Sequence, residues 1–261
     1  MPELTRGGRR VVRPSPVFLA VLGVAAGGGA LAWTSPDSSP RLGDVGVFLL
    51  VLGGWVVSLC LHEFGHAYAA YRAGDHSVEA AGYLTLNPLK YAHPVLSIVL
   101  PLLFIVQGGI GLPGGAVYLH PSAFRTRAAQ SRAAAAGPAS NVVFAAVLLY
   151  IAGQHEISDH SRFWAGLAFL GFLQVTAALL NLLPIPGLDG WAIIEPYLAA
   201  ETVRGAEQIK PFGMLGVIAL LQVDRINIWF FDVVYRLYDL SGTSRFLSGA
   251  GYQFFRFWRS F

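Results

Sequence analysis

The sequence predicts an all-α polytopic membrane protein with about five to six transmembrane segments. Of its 261 residues, 54% are hydrophobic and only 13% are charged, whereas an average soluble domain has roughly 25% charged residues. The mean hydropathy is +0.54, and several charge-poor stretches approach the about 20 residues that a helix needs to cross a bilayer. The single cysteine, Cys60, excludes an intramolecular disulfide and a cysteine-rich zinc module.

The charge distribution indicates membrane topology rather than nucleic-acid binding. The net charge is +3, but the basic residues do not form one patch. They lie at the ends of apolar segments, as the positive-inside rule leads one to expect. The expected partner is therefore the lipid bilayer, and nucleic acid is excluded.

The N-terminal region, residues 1–44, predicts one apolar span behind a basic segment. The apolar stretch 17–33 follows four arginines that are opposed only by Glu3: Arg6, Arg9, Arg10 and Arg13. A cleavable signal peptide is an alternative, because Ala30-Leu31-Ala32 has the small-x-small form of a cleavage site. The stretch is long for a signal peptide, which favours an uncleaved first span. Either interpretation places residues 34–44 outside.

The second apolar segment, about residues 45–71, contains the most informative motif. The chain is uncharged from Val45 to Leu61 and then continues as His62-Glu63-Phe64-Gly65-His66. On a helix, H-E-x-x-H places two imidazoles on one face, one turn apart, with a carboxylate beside them, as in hydrolytic zinc sites. A charged side chain inside a span costs about 2.5 to 3.5 kcal/mol on insertion scales. We therefore expect a function for this triplet, rather than two interfacial histidines beside a snorkelling glutamate.

The next apolar segment, residues 93–112, is predicted to enter the membrane without crossing it. Prolines and a glycine pair interrupt it, and residues 113–132 contain three arginines and no acid. The positive-inside rule assigns those arginines to the cytoplasm, whereas a full crossing would place them outside. We expect a re-entrant or interfacial element, followed by a short membrane-associated β-hairpin at about residues 114–120. Irregular backbone at this depth requires cover from protein or from a water-filled cavity.

Two further spans, about residues 133–151 and 163–183, complete the predicted catalytic membrane core, residues 45–190. The first begins near Gly137-Pro138-Ala139-Ser140-Asn141, and the second leads into a proline-rich break that ends at Leu188-Asp189-Gly190. Because successive spans alternate in direction, this topology brings the histidine motif, Asn141 and Asp189 to one membrane depth.

The C-terminal part, residues 191–261, is predicted to contain membrane-associated helices and an aromatic, basic tail. Residues 212–223 and 226–237 are apolar but short, so they form either one kinked span or a shallow helical pair. The tail from residue 252 mixes aromatic residues with Arg256 and Arg259, a composition suited to a membrane surface.

A catalytic zinc ion usually takes three protein ligands and leaves a fourth position for water. Asp189 is the best third candidate, because it follows the break at the end of an inward-running span. The alternative is a plain turn residue, since Leu-Asp-Gly is a common turn sequence. Three weaker candidates are more typical of a membrane interface: His76, His93 and His120. His155 and His160 fall on the outer side.

Three elements resemble the site-2 protease family of intramembrane zinc metalloproteases. They are H-E-x-x-H at 62–66, G-x-x-x-N at 137–141, and N-x-x-P ending in L-D-G at 181–190. The resemblance implies one zinc ion per chain, held by His62, His66 and Asp189, with Glu63 as the catalytic base. It implies that Asn141 contacts the substrate backbone or the developing oxyanion.

The resemblance also implies regulated intramembrane proteolysis, in which peptide bonds within or near the transmembrane segments of membrane-anchored proteins are hydrolysed. The location it implies is the cell membrane, with several spans and an active site toward the cytoplasm. Many members carry a PDZ or CBS domain, and we expect neither here because the spans leave no space. The alternatives are a membrane metal-ion carrier and a catalytically inactive scaffold. Glu63 between the histidines, together with a third ligand, favours the protease.

Overall fold

The structure, a computed structural model, describes residues 5–6, 9–10, 12–35, 40–91, 120–155 and 159–259. Within these ranges the chain is predominantly helical. The helices are α1 (Pro16–Thr34), α2 (Pro40–Ala73), α3 (Ser77–Ala80), α4 (Arg127–Gly153), α5 (Ser161–Asn181), α6 (Asp189–Ile194), α7 (Ala200–Glu207), α8 (Gly213–Leu221), α9 (Asp224–Asp239) and α10 (Arg245–Phe255). Two strands of two residues each, β1 (Thr5–Arg6) and β2 (Arg9–Arg10), pair in antiparallel near the N-terminus.

Four described helices, α1, α2, α4 and α5, are long and apolar enough to cross a membrane. They coincide with four of the predicted spans. Helix α9, together with α8 and the turn before it, gives a fifth candidate, but the two parts are bent by 98°. The predicted re-entrant element at 93–112 and the hairpin at 114–120 lie outside the described residues, except for His120, which precedes a short 3-10 turn.

Glycines allow α1 and α2 to pack with their backbones in contact. A methyl group on Gly28 would lie 2.5 Å from the backbone nitrogen of Leu50, and one on Gly46 would lie 2.5 Å from that of Ala32. Close packing through small residues is how helices associate in a bilayer, where the hydrophobic effect does not drive their contact.

Helices α2 and α5 form the centre of the bundle. In each, 72% of the most apolar stretch is buried, against 28% in α1 and 39% in α4. Trp55 of α2 and Leu170 and Leu173 of α5 lie in one core cluster, and α10 packs on α5 where Gly251 meets the carbonyl of Ala165. Polar groups on the buried faces of α2 and α5 are therefore shielded from the surroundings of the bundle.

A hydrogen-bonded loop follows α2. The buried carboxylate of Asp75 accepts hydrogen bonds from the backbone N–H of His120 at 2.9 Å and from the hydroxyl of Ser77 at 2.5 Å. The backbone N–H of Ser77 donates to the same carboxylate at 3.1 Å. These bonds join the C-terminal end of α2 to the chain just before α4.

Candidate active site

Helix α2 places the two histidines of the motif on one buried face. His62 and His66 are each 6% exposed, and their Nε2 atoms lie 3.0 Å apart. The i, i+4 spacing produces this because residues one turn apart lie on the same side of a helix. Glu63 is also buried, on the same turn.

Asp189 joins the histidines from the other side. Helix α5 ends at Asn181, and the chain then turns through Gly187, whose φ of 96° favours glycine, before α6 begins at Asp189. The Asp189 carboxylate lies 3.2 Å from His62 Nε2 through Oδ2 and 3.3 Å from His66 Nε2 through Oδ1. The proline-rich break therefore returns the chain to the face of α2.

The loop that carries Asp189 is packed tightly on both sides. A methyl group on Gly190 would overlap the carbonyls of Leu182 and Leu183. Similar overlaps would occur between Gly187 and the carbonyl of Lys210, and between Gly213 and the carbonyl of Pro186. Lys210 and the start of α8 therefore pack directly against the loop that carries Asp189.

The three side chains fit a tetrahedral metal ion. The available ligand atoms of His62, His66 and Asp189 all lie within 4.8 Å of one another, and the closest three separations are 3.0, 3.2 and 3.3 Å. Ligand atoms bound to zinc at about 2.0 to 2.1 Å in a tetrahedron are about 3.3 Å apart. These separations, two of which run to different oxygens of Asp189, are therefore of the size that a zinc tetrahedron requires.

The other nitrogen of each histidine faces an acceptor. His62 Nδ1 lies 2.5 Å from Asn141 Oδ1, and His66 Nδ1 lies 2.8 Å from the carbonyl oxygen of Ala133. Both contacts favour the tautomer that carries its hydrogen on Nδ1, which leaves the lone pair on Nε2 for a metal. Helix α4 thus supplies both contacts that orient the histidine rings.

Gly137 allows α4 to come this close. A Cβ at Gly137 would overlap His66 Nε2 and would lie 2.7 Å from His62 Nε2, and a Cβ at Gly65 would lie 2.8 Å from the carbonyl of Ala136. The glycine of the G-x-x-x-N element is therefore required by close approach, and Asn141 follows it on α4 by one turn.

Curated proteins similar to this chain are named as zinc metalloproteases. The chain is 55% identical over 250 residues to "Putative zinc metalloprotease Rip2" of Mycolicibacterium smegmatis, covering 96% of each chain. It is 52% identical over 254 residues to the Rip2 of Mycobacterium tuberculosis H37Rv, covering 97% of each chain. The chain belongs to the site-2 protease family.

A more distant member of the family, "Putative zinc metalloprotease YwhC" of Bacillus subtilis, is 31% identical over 172 residues, which cover 63% of this chain and 76% of that protein. No family model and no solved structure matches the chain. The zinc metalloprotease prediction is confirmed by these relatives, and neither the carrier nor the inactive scaffold is favoured.

The other described histidines make contacts away from His62, His66 and Asp189. The ring of His76 packs edge-on against Tyr71, and His120 Nδ1 lies 3.0 Å from the Ser77 hydroxyl. His155 stacks on Trp164, and His160 stacks on Trp33. Both histidines were predicted to lie on the outer side of the membrane, away from the motif. His93 lies outside the described residues.

Sequence reasoning missed Gln174 in α5. It is fully buried, and its Oε1 accepts a hydrogen bond from Asn141 Nδ2 at 2.8 Å. The signal was present, because an amide in the middle of an apolar span is costly and tends to mark a functional site. Its partner was not readable, since that depends on how α5 is rotated against α4.

A small polar cavity lies beside His62. Its volume is about 20 Å³, enough for one water molecule. Its polar lining consists of Ser58, His62, Asn141 and Asn181, and Trp55, Leu59 and Ala177 complete the wall. The site therefore has room for water inside the bundle.

Proposed function

We propose that the protein hydrolyses peptide bonds within or near the transmembrane segments of membrane-anchored proteins. The observation that carries this proposal is the cluster of buried His62 and His66 with partly buried Asp189, which could hold a metal ion and lies among helices able to cross a membrane. A site at this depth meets peptide bonds that soluble proteases do not reach.

We assign zinc binding to His62 Nε2, His66 Nε2 and one oxygen of Asp189. Zinc, when bound, acts as a Lewis acid and lowers the pKa of a coordinated water molecule. Glu63 then serves as the general base that takes a proton from the attacking water and returns it to the leaving nitrogen. Asn141 keeps one amide hydrogen beyond its bond to Gln174, which is available to a substrate carbonyl, so the oxyanion role implied by the resemblance is part of this proposal.

The substrate must lose helical structure before cleavage. A transmembrane helix uses its carbonyls in i to i−4 hydrogen bonds, so a local stretch has to unwind to reach Glu63. The hairpin predicted at residues 114–120 would hold that stretch by adding it to an exposed strand edge.

We propose a cell-membrane protein of several spans, with the site toward the cytoplasm. Arg13 precedes α1, Arg72 lies near the end of α2, and Arg125, Arg127 and Arg132 lie around the start of α4. These three ends face one side under the positive-inside rule, and His62 lies nearer to the α2 end that Arg72 marks.

The substitution Glu63→Gln tests the proposed reaction. We expect the variant to retain one zinc per chain, measured by mass spectrometry of the metal, and to lose cleavage. Quantitative membrane proteomics of cells that express it should show single-span proteins accumulating relative to wild type. Glu201→Gln, the same change at an exposed carboxylate on α7, is the matched control and should show no accumulation.

Full activity in Glu63→Gln would overturn the proposal. A metal carrier would also retain zinc in this variant but would accumulate no membrane protein, so the proteomic measurement separates the classes.

A further inference from the structure

Gln174 has no explanation in packing alone. Its side chain is fully buried in α5, where most of the buried neighbours on the same helix are leucine, alanine and aromatic residues. Among the described residues its Nε2 has no hydrogen-bond partner, so the bond from Asn141 Nδ2 to its Oε1 is the polar interaction that accounts for it. An apolar residue of the same size would pack there without burying an amide.

A continuous chain of hydrogen bonds, here called the relay, joins His62 to Asn141 and Asn141 to Gln174. The Nδ1–H of His62 donates to Asn141 Oδ1, and Asn141 Nδ2–H donates to Gln174 Oε1. An asparagine amide can turn over, which exchanges its donor for its acceptor. Turned over, it would donate to His62 Nδ1, and the histidine hydrogen would then reside on Nε2, the atom that faces Asp189.

We propose that Gln174 is a positioning residue that acts through Asn141 to hold His62 in the tautomer that binds zinc. By accepting from Asn141 Nδ2, Gln174 holds the Asn141 amide in the orientation that turns its oxygen toward the histidine. The inference rests on the proposed function, because it takes His62 as a ligand, and it adds a residue on a third helix to the zinc site.

The test is a double-mutant cycle read out by zinc affinity, with the purified full-length protein in detergent and a competing chelator. Gln174→Met removes the acceptor at nearly constant volume, and we expect it to weaken zinc binding about 10- to 100-fold, as loss of a partner of a metal-binding histidine does. In the Asn141→Asp background the same change should alter zinc affinity less than about 2-fold. A carboxylate presents an acceptor to His62 whichever way it turns, so Gln174 has nothing left to fix.

Thr176→Val is the matched control. Thr176 is fully buried on the same helix, but its hydroxyl donates to the carbonyl of Phe172, so we expect unchanged zinc affinity. The absorption spectrum of the Co²⁺-loaded protein gives a second measure of the ligand geometry, which should change in Gln174→Met and remain as in wild type in Thr176→Val.

An equal loss of zinc affinity in both backgrounds, or no loss in either, overturns the proposal. If Gln174→Met fails to fold alone, the double variant decides. If the double variant folds and binds zinc as tightly as Asn141→Asp alone, the relay is supported. If Gln174→Met prevents folding in both backgrounds, the relay is overturned. The cycle measures zinc alone, whereas the proposed function is tested by cleavage in Glu63→Gln, so the two can fail separately.

Discussion

Two clusters among the described residues combine aspartate with histidine, and they differ in how their lone pairs are used. At the end of α2, the Asp75 carboxylate accepts three hydrogen bonds, from Ser77 and from the backbone of His120. Inside the bundle, Asp189 faces the Nε2 atoms of His62 and His66, whose hydrogens are directed to other acceptors.

The difference teaches how a metal site is distinguished from a structural polar cluster. In the Asp75 cluster, three donors of the protein already bind the carboxylate oxygens, so a cation would have to displace these donors. In the Asp189 cluster, Asn141 and the carbonyl of Ala133 accept from the Nδ1 atoms of the histidines, and the two Nε2 atoms face the Asp189 carboxylate. A cation could bind between the Nε2 atoms and the carboxylate without displacing either Nδ1 contact.

The largest expected effect comes from Asp189→Asn. The change removes the anionic ligand, so we expect zinc affinity to fall by more than the roughly 10- to 100-fold that loss of a ligand's partner costs, and cleavage to be lost. Chelator competition measures the affinity. Asp75→Asn is the parallel change in the other cluster, and zinc loss there would contradict the comparison.

Gly137→Ala should have the next largest effect. Its methyl group would overlap His66 Nε2, so α4 must move away and take Asn141 and Ala133 with it. A shift of about 1 Å in a catalytic group can cost on the order of 100-fold in rate, and we expect a loss of that size in cleavage, with weaker zinc binding. Gly216→Ala is the control, because a methyl group there meets open space. Normal zinc binding in Gly137→Ala would contradict the close packing.

Asp75→Asn should have the smallest effect, and it should act on stability alone. Replacing a buried acceptor by an amide leaves donors unsatisfied, so we expect a loss of about 1 to 3 kcal/mol in the free energy of unfolding, with zinc stoichiometry unchanged. Thermal unfolding in detergent measures it. Asp239→Asn, at an exposed pair with Arg245, should cost less.

The contribution of Asp75 should also depend on pH. Burial raises the pKa of the Asp75 carboxyl. The hydrogen bonds from the N–H of His120 and from Ser77 lower it by more than burial raises it, so the folded pKa lies below the ordinary 3.8. A depressed pKa gives stability that is present above the unfolded pKa and lost as the pH falls through the folded one. The stability gap between wild type and Asp75→Asn should therefore be constant near neutral pH and shrink below about pH 4.

The bundle and the converging residues were largely predictable from sequence. Hydropathy and arginine placement predict α1, α2, α4 and α5, and the alternation of spans predicts that Asp189 meets the histidines of α2. These inferences depend on periodicity and membrane thickness, which act on every residue of a span.

The remaining details depend on how the helices are rotated and packed against one another. The role of Gly137 follows from the distance between α2 and α4, and the role of Gln174 from the side of α5 that faces Asn141. The bend between α8 and α9 lies where the sequence predicted a kinked span or a helical pair, but no glycine or proline at Gln222-Val223 indicates its angle of 98°. These features depend on tertiary contacts, which the pattern of residue types along the sequence does not indicate.

The packing of Gly213 against Pro186, and of Gly187 against Lys210, has a thermodynamic consequence. Asp189, the proposed third ligand, follows a loop that packs against Lys210 and the start of α8. Lys210 in turn forms ion pairs with Glu195 and Glu207. Capture of a metal by Asp189 therefore stabilises the docked C-terminal region. By reciprocity, docking of that region tightens the metal by the same factor. The segment from Lys210 to the start of α8 is thus expected to be coupled to the candidate metal site.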